Sequence, residues 1–223
     1  MSILETNVLV GFSGPLFELL YDKDSQYKLM ILEDNISIRN KIKSLNIKIQ
    51  PIKTFKEFLA KDLSCKSNLF IGVASNPILR SKIISKFNSV SNEFPKLIDP
   101  SVIKSNYCKL GKGIFIDKYV TIEFNTTISD YAYVNSHSHI GHDSVIGKNT
   151  IIGGSVVING GAHVGECSLI GSKSVVSNNV KIGKNCLIQA GSVVLKDIPD
   201  NHFASGNPCQ VNCPISLIWR DVP

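Results

Sequence analysis

The fold is decided by residues 140–157, which read IGHDSV, IGKNTI and IGGSVV in three consecutive blocks of six. An aliphatic residue recurs at this spacing, without interruption, at Leu110, Ile116, Ile122, Ile128, Val134, Ile140, Ile146, Ile152, Ile158, Val164, Ile170, Val176, Ile182, Ile188 and Val194. A period of six matches neither an amphipathic helix nor a simple meander of hairpins. It predicts a triangular solenoid in which three blocks close each coil, and stacked coils form the core.

Two positions in each block are expected to face the interior. The aliphatic residue stacks on its counterpart one coil away. The fifth residue of the block is small or β-branched, except at bulky Ile114, because a narrow prism leaves little room. That second series reads Ile114, Val120, Thr126, Ala132, Ser138, Ser144, Thr150, Val156, Ala162, Ser168, Ser174, Val180, Cys186 and Ser192. The glycine that often follows the aliphatic residue is expected to relieve a corner whose backbone angles are unfavourable to a β-carbon.

Residues 1–98 follow a different pattern, which predicts a small, Rossmann-like parallel α/β domain. An apolar run at 7–14 ends in a turn, further strands are expected at 27–32 and 69–74, and helices at 15–21, 55–63 and 78–87. The turn Gly11-Phe12-Ser13-Gly14 fits a phosphate cradle at a helix N-terminus and a purely structural turn equally well. The β-helix then takes residues 99–196, and residues 197–223 form a C-terminal tail.

Composition excludes several classes of function. The net charge of +6 is mild and its lysines form no dense block, so nucleic acid is not expected as a partner, whereas anionic substrates are compatible. No apolar run is long enough for a membrane span, and the first residues do not resemble a secretory signal, which predicts a cytoplasmic protein. The six cysteines form no CxxC pair, so reduced thiols are expected.

The residues with the clearest chemistry lie at 135–143, which we expect around one corner of the solenoid. His142 follows inward-facing Ile140 by two positions and should point outward, and Asp143 beside it can fix the imidazole tautomer, as a general base requires. One coil later, a backbone N–H of Asn159-Gly160-Gly161 could stabilise an oxyanion. The nearby histidines lack acidic or cysteine partners at a suitable spacing, so no metal is expected.

The run from Leu110 to Val194 resembles the left-handed β-helix hexapeptide-repeat acyltransferases. More narrowly, the chain is similar to the sialic-acid O-acetyltransferase-like group, which includes N-acetyltransferases of nucleotide-linked 4-amino sugars such as the bacillosamine-pathway enzyme. The motifs that carry this resemblance are Gly11–Gly14, Glu33-Asp34, Leu97-Ile98-Asp99-Pro100, Asn135 seven residues before His142-Asp143, Lys196–Asp200 and Gly206-Asn207-Pro208.

The resemblance implies a homotrimer with active sites between neighbouring β-helices, acetyl-CoA as donor and a nucleotide-linked amino sugar as acceptor. It implies His142 as general base, Asp143 as its partner and Asn135 near the acetyl or amine group. The residues implied to contact coenzyme A are Gly160, through its backbone N–H, and Ala190 and Gly191. Those implied to bind the nucleotide sugar in the N-terminal domain are Gly11, Ser13, Gly14 and Asp34.

The expected reaction is acetylation of the 4-amino group of a UDP-linked sugar, in preference to a dTDP-linked one, during bacterial surface glycan biosynthesis. An O-acetyltransferase acting on sialic acid or a polysaccharide would use the same histidine, so that alternative stays open. A non-enzymatic β-helix for assembly or metal binding is a third possibility. Ile151 stands where the amino-sugar enzymes often carry a second histidine, which predicts a departure in how substrate is held.

Overall fold

The structure, a computed structural model, describes residues 6–11, 28–33, 36–44, 67–88 and 93–218. The chain divides into two compact units, Met1–Val73 with Lys82–Pro95 and Ala74–Ser81 with Lys96–Pro223. The helices expected at 15–21 and 55–63 lie outside the described residues, as do Ser13, Gly14 and Asp34. No helix within the described ranges has the length and apolar character needed to cross a membrane.

The first unit contains a parallel sheet of the described strands β1 (Thr6–Val10), β2 (Lys28–Leu32) and β3 (Ser67–Ile71), in the order β2-β1-β3. Thr6 pairs with Lys28 on one side and with Ser67 on the other. The central strand is fully buried from Val8 to Val10, which explains its uninterrupted apolar sequence. The predicted small parallel sheet is therefore confirmed.

The residues that the structure describes before the solenoid include two helices, α1 (Ile36–Ser44) and α2 (Pro77–Asn88). Asn76 caps α2, since its side-chain oxygen accepts hydrogen bonds from the backbone N–H groups of Ile78 and Leu79, both at 3.0 Å. The sequence predicted α2 to within one residue at each end. It did not predict α1, whose apolar residues are few; among its described side chains, only that of Ile42 is buried.

The second unit is a parallel solenoid with three faces. The first face contains Leu97–Ile98, Phe115–Ile116, Tyr133–Val134, Ile151–Ile152, Leu169–Ile170, Leu187–Ile188, His202–Gly206 and Cys209–Pro214. The second contains Ile103–Lys104, Thr121–Ile122, His139–Ile140, Val157–Ile158, Val175–Val176 and Val193–Val194. The third contains Lys109–Leu110, Thr127–Ile128, Val145–Ile146, His163–Val164 and Lys181–Ile182.

The register between coils is 18 residues, as in the pairing of Val134 with Ile152, which is the predicted three blocks of six. At the C-terminal end the register changes, and His202–Gly206 extends the first face before Cys209–Pro214 folds back on it antiparallel. A short 3₁₀ turn at Ile215–Leu217 follows. Residues 202–206 and 209–214, which were expected to belong to a tail, are thus strands of the first face.

The core is the one that the two sequence series predict. Every aliphatic residue of the first series from Ile116 to Val194 is at most 2% exposed, and every residue of the second series from Ile114 to Ser192 is at most 5% exposed. The hydroxyls in the second series follow a rule that the sequence did not reveal: all but that of Ser192 donate to a carbonyl 15 residues later, as Ser138 does to Gly153 at 2.8 Å and Thr150 to Gly165 at 2.7 Å. The hydroxyl of Ser192 donates to the carbonyl of Gln189 at 2.7 Å. Polar residues are thereby accommodated in the core.

The expected reason for the corner glycines is wrong. The left-handed position of each corner lies two residues later and is occupied mostly by other residue types, for example Asn125 at φ 56° and Asn149 at φ 55°. The glycine instead permits a close approach between coils, since a β-carbon on Gly147 would lie 2.5 Å from the backbone nitrogen of Glu166. Steric contact with the next coil, rather than backbone angle, selects glycine there.

Candidate active site

Residues 135–143 occupy two corners of the solenoid rather than one. Asn135 follows a strand of the first face, at a corner that we call the Asn135 corner, whereas His142 follows a strand of the second face, at the His142 corner. The side-chain oxygen of Asn135 accepts the backbone N–H of Ser136 at 2.8 Å. Within one chain, Asn135 and His142 therefore lie on opposite edges of the second face.

His142 and Asp143 form a hydrogen-bonded pair at the His142 corner. Nδ1 of the imidazole lies 2.8 Å from Oδ2 of Asp143, and the two side chains are 58% and 51% exposed. An ionised carboxylate can only accept a hydrogen bond, so Nδ1 carries the proton and Nε2 of the neutral ring carries the lone pair. Nε2 is thus the atom available to take a proton from a substrate.

The two side chains shift each other's pKa in the direction that a general base needs. The hydrogen bond that His142 donates to Asp143, followed by the charges of Asp143 and Glu123, raises the pKa of His142 above its ordinary value. The hydrogen bond from Asn125, and then the one from His142, lowers the pKa of Asp143. The carboxylate is therefore ionised around neutral pH, and the imidazole holds a proton more strongly than a free histidine does.

Gly160 faces the imidazole from the next coil. A β-carbon on Gly160 would lie 2.5 Å from Nε2 of His142, so only glycine leaves this approach open. In the part of the chain that the structure describes, nothing accepts the N–H of Gly160. One coil earlier, the side chain of Glu123 accepts the N–H of His142 at 2.9 Å. The residue equivalent to Glu123 for the N–H of Gly160 is Gly141, which has no side chain that could accept it.

The preceding coil supplies residues that the sequence did not single out. Nδ2 of Asn125 donates to Oδ1 of Asp143 at 2.7 Å, and Glu123 lies with Oε1 3.6 Å from Nε2 of His139. Their spacing of about one coil before His142-Asp143 is the signal that could have identified them. Phe124 is 55% exposed and stacks with Tyr107, 70% exposed, at a centroid distance of 5.2 Å.

Within the solenoid, the two further residues expected to contact coenzyme A lie at a different corner from His142. Ala190 and Gly191 are exposed at the Asn135 corner, and a β-carbon on Gly191 would meet open space. Gly11, in the other unit, directly follows β1 and has φ 76°, and a β-carbon on it would lie 2.8 Å from the Val73 side chain. Ile151 is 2% exposed on the first face, so this departure from the amino-sugar enzymes lies in a buried apolar surface.

Metal ligands are not gathered at the His142 corner. Across the described ranges, no three His, Cys, Asp or Glu side chains are arranged to hold a metal ion. His137, at φ 59°, stacks instead on Tyr119 with ring centroids 5.1 Å apart, on the opposite edge of the second face. The three nearby histidines thus lie in different environments.

The repeats match a known family. Residues 125–160 and 161–196 each match the family model described as bacterial transferase hexapeptide (six repeats). Both matched segments lie within the solenoid. This match supports the resemblance inferred from the sequence, and with it the expectation of an acyltransferase.

Solved structures share the fold over nearly the whole chain. PerB from Caulobacter crescentus, in complex with CoA and GDP-perosamine, has a TM-score of 0.81 and 23% identity, covering 94% of this chain and 98% of its own. The acetyltransferase domain of PglB from Neisseria gonorrhoeae FA1090, in complex with acetyl coenzyme A, has a TM-score of 0.80 and 20% identity, covering 93% of this chain and 99% of its own. WeeI from Acinetobacter baumannii AYE has a TM-score of 0.79 and 20% identity, covering 93% of this chain and 100% of its own. The predicted fold, a small parallel sheet followed by a left-handed β-helix, is confirmed.

A curated relative matches a shorter segment. The putative acetyltransferase YJL218W of Saccharomyces cerevisiae is 64% identical over 28 residues, which are 13% of this chain and 14% of the yeast protein. This chain thus spans a small part of that relative, and the match concerns a local stretch of sequence.

Proposed function

We propose that this chain is an acetyl-CoA-dependent N-acetyltransferase acting on the 4-amino group of a nucleotide-linked sugar in bacterial surface glycan biosynthesis. The observation that carries the proposal is the arrangement of His142 and Gly160. A proton acceptor at Nε2 and a backbone N–H without an acceptor lie next to each other on consecutive coils. Direct acyl transfer requires both, one for the nucleophile's proton and one for the oxyanion.

In the proposed reaction, the amine nitrogen attacks the thioester carbonyl carbon and forms the new C–N bond. Nε2 of His142 takes the amine proton, and the N–H of Gly160 donates to the oxygen that becomes negative. The C–S bond then breaks, and the leaving thiolate takes the proton from the imidazolium, which restores neutral His142. Asp143 holds Nδ1 and stabilises the imidazolium between the two proton transfers.

We propose further that the site is completed by a second copy of the chain in a homotrimer. Asn135, Ala190 and Gly191 lie on one edge of the second face, and His142 and Gly160 lie on the other. A neighbour that presents its Asn135 corner to the His142 corner would gather all five residues. The donor then lies between subunits, beside the exposed backbone of Ala190 and Gly191.

Mixing inactive variants tests the shared site. Asn135→Ala and His142→Ala homotrimers are each expected to be impaired. Subunits that are mixed, dissociated and reassembled form some interfaces with both native residues, so activity is expected to return in the mixture. Recovery is excluded if each chain builds its own site, because every site then lacks one residue. A monomer at assay concentration by sedimentation contradicts the proposal independently.

The nucleotide is proposed to be bound by Gly11, Ser13, Gly14 and Asp34, with UDP preferred to dTDP. GDP joins the candidates because the Caulobacter structure contains GDP-perosamine. Gly11 supports this assignment in that its left-handed φ of 76° at the end of a buried strand forms a turn that other residues would strain.

A thiol-release assay tests the proposed reaction. Purified chain and acetyl-CoA are mixed with UDP-, dTDP- and GDP-linked 4-amino-4,6-dideoxy sugars, and with the matching 4-hydroxy sugars as controls. Release with an amino sugar and silence with its hydroxy counterpart is the expected result. Release with the hydroxy sugars, and silence with every amino sugar, would replace the proposal by O-acetylation.

A further inference from the structure

We infer that Asn125 is a positioning residue of the proposed active site: from the preceding coil, its amide holds the Asp143 carboxylate in the orientation that engages His142. The inference rests on the proposed function for its consequences in catalysis. Its geometrical basis is independent of that function, since it concerns a chain of side-chain contacts that runs Asn125–Asp143–His142.

The coil before His142 fixes the pair at three points. Glu123 accepts the backbone N–H of His142 at 2.9 Å, the carbonyl of Phe124 accepts that of Asp143 at 3.0 Å, and Asn125 donates its side-chain amide to Asp143 at 2.7 Å. The first two contacts fix the backbone. Only the third acts on the carboxylate itself, and it occupies Oδ1 so that Oδ2 faces Nδ1.

Asparagine suits this position for two separate reasons. The corner requires φ 56°, a left-handed conformation that asparagine adopts more readily than most residues. Its amide also reaches the next coil, as the amide of Asn185 does when it donates to Asn201 at 3.0 Å. The two asparagines differ in their partner on the next coil. Asn125 donates to a carboxylate that is itself hydrogen-bonded to an imidazole, whereas Asn185 donates to an amide oxygen.

Among the residues that the structure describes, two carry charges that act on His142. Asp143 lies beside it and Glu123 lies in the coil below, and both raise its pKa, while Asn159, Gly160 and Gly161 in the coil above carry no charge. His139, on the preceding strand, lies toward Glu123. Asn125 therefore acts on His142 through the Asp143 carboxylate, whose pKa it lowers more than any other group does.

Two substitutions separate this role from that of a corner residue. Asn125→Gly keeps the left-handed corner and removes the amide, so we expect kcat to fall about tenfold with both KM values within about twofold. Asn125→Asp keeps the size but sets a second carboxylate beside Asp143. Asn185→Gly is the matched control, because it removes the same kind of contact at another corner, and it should leave kcat and His142 unchanged.

The decisive readout is the titration of His142 by NMR in histidine-labelled protein, with its signal assigned by its absence from His142→Gln. We expect the pKa of His142 to fall in Asn125→Gly, where the carboxylate is less well held, and to rise in Asn125→Asp, where negative charge is added. A purely structural role predicts no such opposite shifts. Unchanged titration and kcat in both variants would overturn the inference. Opposite shifts in a protein that transfers no acetyl group would refute the proposed function alone.

Discussion

Two corners of the same solenoid have nearly identical backbones and different environments. Asn125 at the His142 corner and Asn149 at the corner between the third and first faces have φ values of 56° and 55°. Asn125 is exposed and donates to Asp143, whereas Asn149 is 2% exposed and is bound by the start of α2. Oδ1 of Asn149 accepts a hydrogen bond from Nε of Arg80 at 3.0 Å, and Nδ2 of Asn149 donates to the carbonyl of Pro77 at 2.8 Å.

The difference shows that the repeat fixes the backbone while the neighbouring residues decide what a corner does. We call the corner of Asn149 the Arg80 corner, since Arg80 is 1% exposed there and also donates to the carbonyl of Tyr131 at 2.7 Å. Burial lowers the pKa of Arg80 to about 10. Polar groups are thus buried and hydrogen-bonded at the Arg80 corner, whereas those at the His142 corner are exposed.

The largest effect on stability is expected at the Arg80 corner. Arg80→Ala leaves the buried oxygens of Asn149 and Tyr131 without this donor and opens a cavity, so we expect about 3 kcal/mol lower free energy of unfolding. Chemical denaturation measures the loss, and Lys82→Ala, an exposed change on the same helix, should stay within about 0.5 kcal/mol. An Arg80→Ala protein as stable as the native one would remove the contrast between the corners.

The next effect is expected at Gly160 and concerns activity. Gly160→Ala places a methyl group against Nε2 of the exposed imidazole, which must turn away, so we expect kcat to fall about a hundredfold with little loss of stability. The double variant with His142→Ala is the control. Since the clash is then absent, Gly160→Ala should add little to the loss in that background, and full additivity would mean that the two residues act separately.

The core of the solenoid was predictable because a single spacing dictates it. Stacked coils require the same inward positions in every block, so the periodic residues from Ile116 to Val194 are all buried as expected. The same spacing could have predicted that outward side chains of the first face are buried, because one such position is apolar or aromatic every 18 residues. These residues are Leu97, Phe115, Tyr133 and Ile151, and all four are buried.

The site was less predictable because proximity in a solenoid follows coils rather than sequence. Asn135 and His142 are close in sequence but lie across a face, while Asn125 lies 18 residues before Asp143 and contacts it. The Arg80 corner was beyond reach from sequence, because Arg80 and Asn149 are 69 residues apart and share no motif. What the sequence identified correctly is the His142-Asp143 pair and its outward direction.

A smaller effect is expected from Asp143→Asn. The amide oxygen can still accept the Nδ1 proton, but the negative charge is lost, so the pKa of His142 should fall and kcat should drop about tenfold. Activity at low pH is limited by protonation of His142, and the acidic limb of kcat/KM should therefore move to lower pH. A limb that stays in place would show that another group titrates.

The smallest effect is expected from Glu123→Gln. The amide oxygen still accepts the backbone N–H of His142, while the removed charge no longer raises the pKa of His142. We expect the acidic limb to move down by less than about half a pH unit with kcat nearly unchanged. A large loss of kcat would instead place Glu123 in contact with substrate.

The most direct test of the contrast between the corners measures acetyl transfer and stability together on His142→Ala, with His163→Ala, an exposed histidine of the third face, as the control. We predict that His142→Ala loses activity by about 10²- to 10⁴-fold while its free energy of unfolding stays within about 0.5 kcal/mol of the native value. His163→Ala should retain both the activity and the free energy of unfolding of the native protein. An active His142→Ala protein, in thiol release with the preferred amino sugar, would contradict the account.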